Sequence, residues 1–99
     1  MKEIKAVIQP FMLSHVLHAL HAIPGLPGVT VSEARSIDLE RGTLEQVTQV
    51  KLEIMVPDDR AEAVREAIRK HAHTGREGDG RIFVIPIEQA SDIRSGEEV

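Results

Sequence analysis

The chain contains no cysteine, no tryptophan and no tyrosine, and its only aromatic residues are Phe11 and Phe83. Without cysteine there is no disulfide framework and no thiolate metal site. Two phenylalanines do not make the row of stacking platforms on which single-stranded nucleic acid is held. A formal charge of -4 with no basic cluster argues the same way, so no nucleic-acid partner is expected. The N-terminus lacks the apolar core of a secretory signal. Hydrophobic residues make up 41% and charged residues 28%, proportions of a soluble globular domain rather than a disordered or membrane-embedded one. A cytoplasmic protein without direct membrane insertion is expected.

What is present fits one domain spanning residues 1–99. Ile4, Ala6 and Ile8 alternate with Glu3, Lys5 and Gln9, which reads as a half-buried strand over residues 2–9 that ends at Pro10. Leu13, Val16, Leu17, Leu20 and Ile23 recur at helical spacing, with Ser14 as the N-cap of a helix over residues 14–23. The run Pro24-Gly25-Leu26-Pro27-Gly28 ends it. Val29 and Val31 begin a second strand, and Val50, Leu52, Ile54 and Val56 alternate strictly in a third. Asp58 or Asp59 then caps a second helix with one apolar stripe, Ala61, Val64, Ile68 and Ala72. Arg81 to Ile87 is the last strand. The order βαββαβ, with right-handed crossovers, predicts an α+β ferredoxin-like sandwich: a four-stranded antiparallel sheet with both helices on one face. Val7 and Met55 fall on the other face, where association through symmetry would cover them. A homo-oligomer is expected.

Between the second helix and the last strand lies Thr74-Gly75-Arg76-Glu77-Gly78-Asp79-Gly80-Arg81, with three glycines and two arginines in eight residues. Glycine accepts conformations that turn successive N–H groups toward one point, and arginine forks onto phosphate oxygens. The spacing is neither a P-loop, which ends in Lys-Ser or Lys-Thr, nor a dinucleotide fingerprint, which precedes a helix. Two readings remain, a phosphate-binding loop or a helix C-cap at Gly75 followed by a turn at Asp79-Gly80. Composition leaves both open.

Across nearly the whole chain the sequence resembles the P-II signal-transduction family and its P-II-like variants. The resemblance rests on Lys5-Ala6-Val7-Ile8-Gln9-Pro10-Phe11, on Gly28-Val29-Thr30-Val31-Ser32-Glu33, and above all on Thr74 to Val84. It implies a ferredoxin-like homotrimer with an adenine nucleotide in each inter-subunit cleft, acting as a regulator and not as an enzyme. Carried over residue by residue, it implies that Gly78, Asp79, Gly80 and Arg81 (the B-loop, 74–81) hold phosphates. Val7 and Met55 would line the cleft, and Gly28, Val29 and Thr30 would contact the adenine. The segment 88–99 resembles the family's C-terminal loop, so Arg94 is expected to reach the phosphates.

The chain also departs from the family pattern. Asp92 stands where a second arginine is usual, and a carboxylate there repels terminal phosphate charge. ADP or AMP is therefore expected in preference to ATP. The effector loop of the family, here 36–48, is shortened, and with no tyrosine in the chain its uridylylation is excluded. Glu40 replaces the glutamine that in the family helps hold magnesium and 2-oxoglutarate. These departures point to the P-II-like variants linked to bicarbonate transport or carboxysomes, with Arg35 and Arg41 as candidate bicarbonate ligands. The expected partner is an unidentified target protein, such as a membrane transporter or carboxysome component.

Two alternatives stand beside this reading. His15, His18 and His21 recur every three residues on the first helix, so His15 with His18 could share a divalent cation in a regulator associated with metal transport. No carboxylate or cysteine completes such a site. The second alternative is a nitrogen-regulatory P-II protein controlling ammonium transport or assimilation. An enzyme is not expected: Asp58, Asp59, Glu97 and Glu98 sit at a helix start and at the chain end, and no nucleophile has a paired base.

Overall fold

A computed structural model of the chain describes residues 1–40 and 44–99. Its strands are β1 (Lys2–Ile8), β2 (Thr30–Ile37), β3 (Gln46–Val56) and β4 (Gly80–Pro86), and its helices are α1 (Leu13–His21) and α2 (Ala61–Ala72). All strand pairs are antiparallel and the sheet order is β2-β3-β1-β4. This is the expected ferredoxin-like arrangement. Strands β2 and β4 are the two edges, a point on which the candidate site turns.

The register explains the core. Ile4, Ala6 and Ile8 lie opposite Ile54, Leu52 and Val50, and paired residues share a face. That face joins Val16 and Leu20 of α1 and Val64, Ile68 and Ala72 of α2 in one buried cluster. Full burial of each large aliphatic side chain stabilises the fold by about 1.5–3 kcal/mol. The opposite face carries Lys5, Val7, Lys51, Glu53, Met55, Arg81 and Phe83, as the parity of the pairing requires. Val7 and Met55 are half-buried there among charged neighbours, while Phe83 is exposed.

Several local expectations change. Helix α1 begins one residue before Ser14, because a 3-10 turn over Pro10–Met12 leads directly into it, with proline at its first position. Ser14 therefore sits inside the helix, and Met12, the residue that precedes the helix, makes no side-chain cap. Asp58 and Asp59 also fall in a 3-10 turn, Asp58–Arg60, and neither caps α2. Asp58 instead takes a hydrogen bond from the N-terminal ammonium of Met1. Strand β3 starts at Gln46, four residues ahead of the buried alternation, and Ser36 and Ile37 pair with Val47 and Gln46. The segment 36–48 is thus strand at both ends, and the connection itself is 38–45. The hydroxyl of Ser36 donates to Oε1 of Gln49, whose burial in this hairpin follows from that pairing.

Candidate functional site

The glycine loop is built around a carboxylate. The Thr74 and Gly75 N–H groups donate to Oδ2 of Asp79 at 2.8 and 3.0 Å, and the Thr74 hydroxyl donates to Oδ1. The same hydroxyl accepts the Arg76 N–H at 3.2 Å. The Thr74 hydroxyl, followed by its backbone N–H, holds the Asp79 carboxyl below the usual carboxylate range. Helix α2 ends at Ala72 with His73 extended, so Gly75, at φ 85°, belongs to the loop and not to a helix cap.

Two contacts moor the loop to β1. The Gln9 side-chain amide donates to the Gly78 carbonyl. Gly80, at φ 117°, lies so close to β1 that a Cβ there would stand 1.7 Å from the Val7 carbonyl oxygen. No other residue type fits. Asp79 is spent on the inside of the loop, so any phosphate affinity must come from backbone N–H groups and from Arg81. Arg81 is exposed and lies opposite Val7, which in turn faces Lys51, so two cations flank Val7 on the open sheet face. Thr74, Gln9 and Lys51 were not singled out from the sequence. The Thr-Gly…Asp-Gly spacing is the signal that would have found Thr74, since a short acceptor five residues on can close such a turn.

The remaining site residues lie elsewhere. Thr30 opens β2, in register with Glu53 of β3. Gly28 and Val29 line a groove of about 690 Å³ between α1 and the start of β2. Met55 pairs with Glu3 near the same end of the sheet. The residues expected from the sequence therefore fall into two groups: Gly78 to Arg81 with Val7 toward the β4 side, and Gly28 to Thr30 with Met55 toward the β2 side. Edge β2 and edge β4 are three strand spacings apart, roughly 14 Å. One chain does not bring the two groups together.

Arg94 follows β4, whereas the glycine loop precedes it, and the seven-residue strand between them spans roughly 23 Å. The tail folds on itself: Asp92 N–H donates to Glu97 O and Gly96 N–H to Asp92 O, both at 2.8 Å, and Ser91 bridges Glu98. The Asp92 carboxylate accepts the Ser95 N–H at 3.0 Å, so it holds a turn with Arg94 exposed inside it. Arg35 is an exposed β2 residue opposite Thr48, and Arg41 lies outside the described residues. His15 and His18 share a groove with His71 between α1 and α2. Among the described residues no group of three or more His, Cys, Asp or Glu is placed to hold a metal. No helix among them is long and apolar enough to cross a membrane.

The sequence matches the family described as "Nitrogen regulatory protein P-II" over residues 1–97. The chain belongs to the P-II family. Relatives named nitrogen regulatory protein P-II include those of Rhizobium leguminosarum bv. viciae, 43% identical over 98% of this chain and 95% of the relative, and of Azospirillum brasilense, 42% identical over 99% and 96%. That of Haemophilus influenzae is 41% identical over 99% and 96%. The alignment with the Rhizobium relative runs to 107 positions, more than the 99 residues here, so that relative carries residues this P-II chain lacks. P-II proteins are signal-transduction regulators and not enzymes, and trimeric assembly is typical of them.

Proposed function

We propose that this P-II chain is a trimeric cytoplasmic regulator that binds an adenine nucleotide between neighbouring copies and reports it to a target protein. The observation that supports the proposal is that the residues expected to hold phosphate and those expected to meet the base lie toward opposite edges of one sheet. When the β4 edge of one copy meets the β2 edge of the next, Gly78 to Arg81 comes to face Gly28 to Thr30. Gly80 is three residues along the sheet from the row that holds Thr30, roughly 10 Å. That offset matches the reach of an extended nucleoside diphosphate. Backbone N–H groups of the moored loop and Arg81 hold the phosphates. Gly28, Val29 and the Thr30 hydroxyl receive the base, with Val7 and Met55 as apolar lining and Arg94 adding positive charge from the tail.

The target process follows the relatives. Proteins more than 40% identical over almost the full chain carry the name of nitrogen regulators, which favours a role in nitrogen control over the inorganic-carbon reading drawn from the sequence. A second reading, in which ADP or AMP with bicarbonate regulates inorganic-carbon uptake, keeps one supporting observation, the short 38–45 connection in a chain without tyrosine.

Calorimetric titration with AMP, ADP and ATP, each with and without 2-oxoglutarate and bicarbonate, tests both. Arg81→Ala is expected to weaken ADP about ten- to a hundredfold with the trimer intact, the effect of losing a charged hydrogen-bond donor. Unchanged affinity would remove Arg81 from the site, and absence of any nucleotide binding would overturn the proposal. Bicarbonate that changes ADP or AMP affinity while 2-oxoglutarate does not would favour the second reading.

A further inference from the structure

Three of the five histidines line one groove between the helices. His15 and His18 stand one turn apart on α1, and His71 comes from the last turn of α2. Between them the groove is lined by Ala19, Ala22 and Ala67, whose methyl groups leave open the space that larger side chains would fill. The sequence offers His15 and His18 only as a pair, and the packing of α2 against α1 adds a third imidazole from a distant part of the chain. The other two histidines lie elsewhere. His21 borders the α1–β2 groove, and His73 lies against the glycine loop, its Cε1 3.8 Å from where a Cβ on Gly75 would stand.

His15, His18 and His71 are all exposed, and no described residue offers their side chains a hydrogen bond or an ion pair. A neutral imidazole presents one unshared nitrogen lone pair. A set of such nitrogens suits zinc, copper or nickel, whereas magnesium and calcium take oxygen ligands. Residues three apart on a helix have Cβ atoms about 5–6 Å apart, and packed helix axes lie about 8–10 Å apart, so imidazoles from both helices can meet at one ion. As they stand the three do not converge on one point. Each ring turns about two side-chain bonds, and an exposed ring without a partner gives up no hydrogen bond in turning. Three protein nitrogens with a fourth position left to water is the coordination of an open zinc site.

We propose that His15, His18 and His71 form a binding site for a divalent cation of the zinc class, shared between α1 and α2. The site is independent of the nucleotide reading. The ion would tie the end of α2, which leads into the glycine loop, to the helix that leads into Gly28 to Thr30.

Calorimetric titration of the untagged chain with zinc and, separately, with magnesium in a non-chelating buffer tests the site. One zinc per chain and no magnesium is the expected result. His15→Ala, His18→Ala and His71→Ala should each weaken zinc by more than about tenfold, because even an outer-shell partner of a metal ligand is worth 10–100-fold. His21→Ala and His73→Ala should leave zinc affinity unchanged. All five positions are exposed, so the variants should keep the fold, which far-UV circular dichroism checks. No zinc binding at micromolar concentration, a His71→Ala variant that binds as the parent does, or an equal loss with His21→Ala or His73→Ala overturns the site. The unmodified chain gives an independent readout in its imidazole nitrogen spectrum: zinc should shift the resonances of His15, His18 and His71 and leave those of His21 and His73 in place. Shifts at all five, the mark of scattered surface binding, refute the shared site.

Discussion

Replacing Gly80 by alanine removes no contact, and yet it is expected to be among the most damaging single changes in the molecule. Gly80 sits at φ 117° in register with Ile8, and the added methyl carbon would lie 1.7 Å from the Val7 carbonyl oxygen and 2.8 Å from its carbonyl carbon. Both atoms are backbone of the central strand β1, so no rotamer relieves the overlap. Relieving it moves the start of β4 away from β1, while the alanine still has to adopt a backbone region that few L-residues occupy. Holding an L-residue in a sparsely populated backbone region costs about 1–3 kcal/mol, and giving up the adjoining ladder hydrogen bond costs roughly 1 kcal/mol more. The sum, about 2–4 kcal/mol, is a large share of the 5–15 kcal/mol by which domains are stable.

For a chain of this length each kcal/mol moves Tm by about 4–8 °C, so Gly80→Ala should melt roughly 10–30 °C below the parent. Differential scanning calorimetry at fixed protein concentration measures this, since assembly makes Tm concentration-dependent. Gly28→Ala is the control: no heavy atom lies within 4 Å of its added Cβ and its φ is not positive, so its Tm should stay close to that of the parent. Equal melting of the two variants would refute the close approach of the loop to β1 and, with it, the claim that the glycine loop is moored there.

Acidification should open the loop in a defined direction. The Asp79 carboxyl is held below its ordinary range by Thr74 and Gly75, so its contribution to stability is present above the unfolded-state pKa and is lost as pH falls through the lower folded-state value. The Thr74 and Gly75 amide resonances should titrate together with a midpoint below that of a free aspartate, and Asp79→Asn should abolish the titration. Ile68→Ala, at a fully buried position of α2 within the core cluster, should cost about 2–5 kcal/mol in urea unfolding without changing ADP affinity in the surviving trimer. Glu66→Ala should leave Tm almost unmoved despite its pairing with Arg69 at 2.6 Å, because both groups are exposed, and a large loss would refute that reading.

The sequence disclosed the fold wherever one face of an element is buried. Val50 to Val56 alternates because helices cover that side of β3, whereas Gln46 to Val47 is strand through pairing with β2 alone and carries no such signature. Ser14 was misplaced as a cap because Pro10 begins a 3-10 turn that brings the helix start forward, and a lone serine does not outweigh proline at N1. In the site, the residue types of Gly78 to Arg81 are legible, whereas the inward use of Asp79 shows only if the Thr-Gly…Asp-Gly spacing is read as a turn closed by a short acceptor five residues on. Asp92 read as a charge opposed to phosphate, while its Asp-x-x-Ser spacing is that of a turn-holding acceptor. That the two groups of expected site residues lie toward opposite edges follows from the strand order β2-β3-β1-β4, which linear spacing does not encode.

The strand order also determines how a bound ligand could be reported. Thr30, which would meet the base, and Ile37, the last paired residue before the 38–45 connection, lie on the same strand, joined by an unbroken ladder with β3 from Thr30↔Glu53 to Ile37↔Gln46. This hairpin runs past the last row held by β1, Ile8↔Val50, and carries exposed Leu39 and Leu44 beyond it. A ladder of paired strands transmits position well and shape change poorly, so a nucleotide at Thr30 can orient the hairpin tip as a body. It can reshape only what lies beyond Ile37 and Gln46. A ligand shifts such an equilibrium by no more than its difference in affinity for the two forms. If a nucleotide binds as proposed, the contacts that create that difference would include those to Arg81 and Thr30, at the two ends of the expected site.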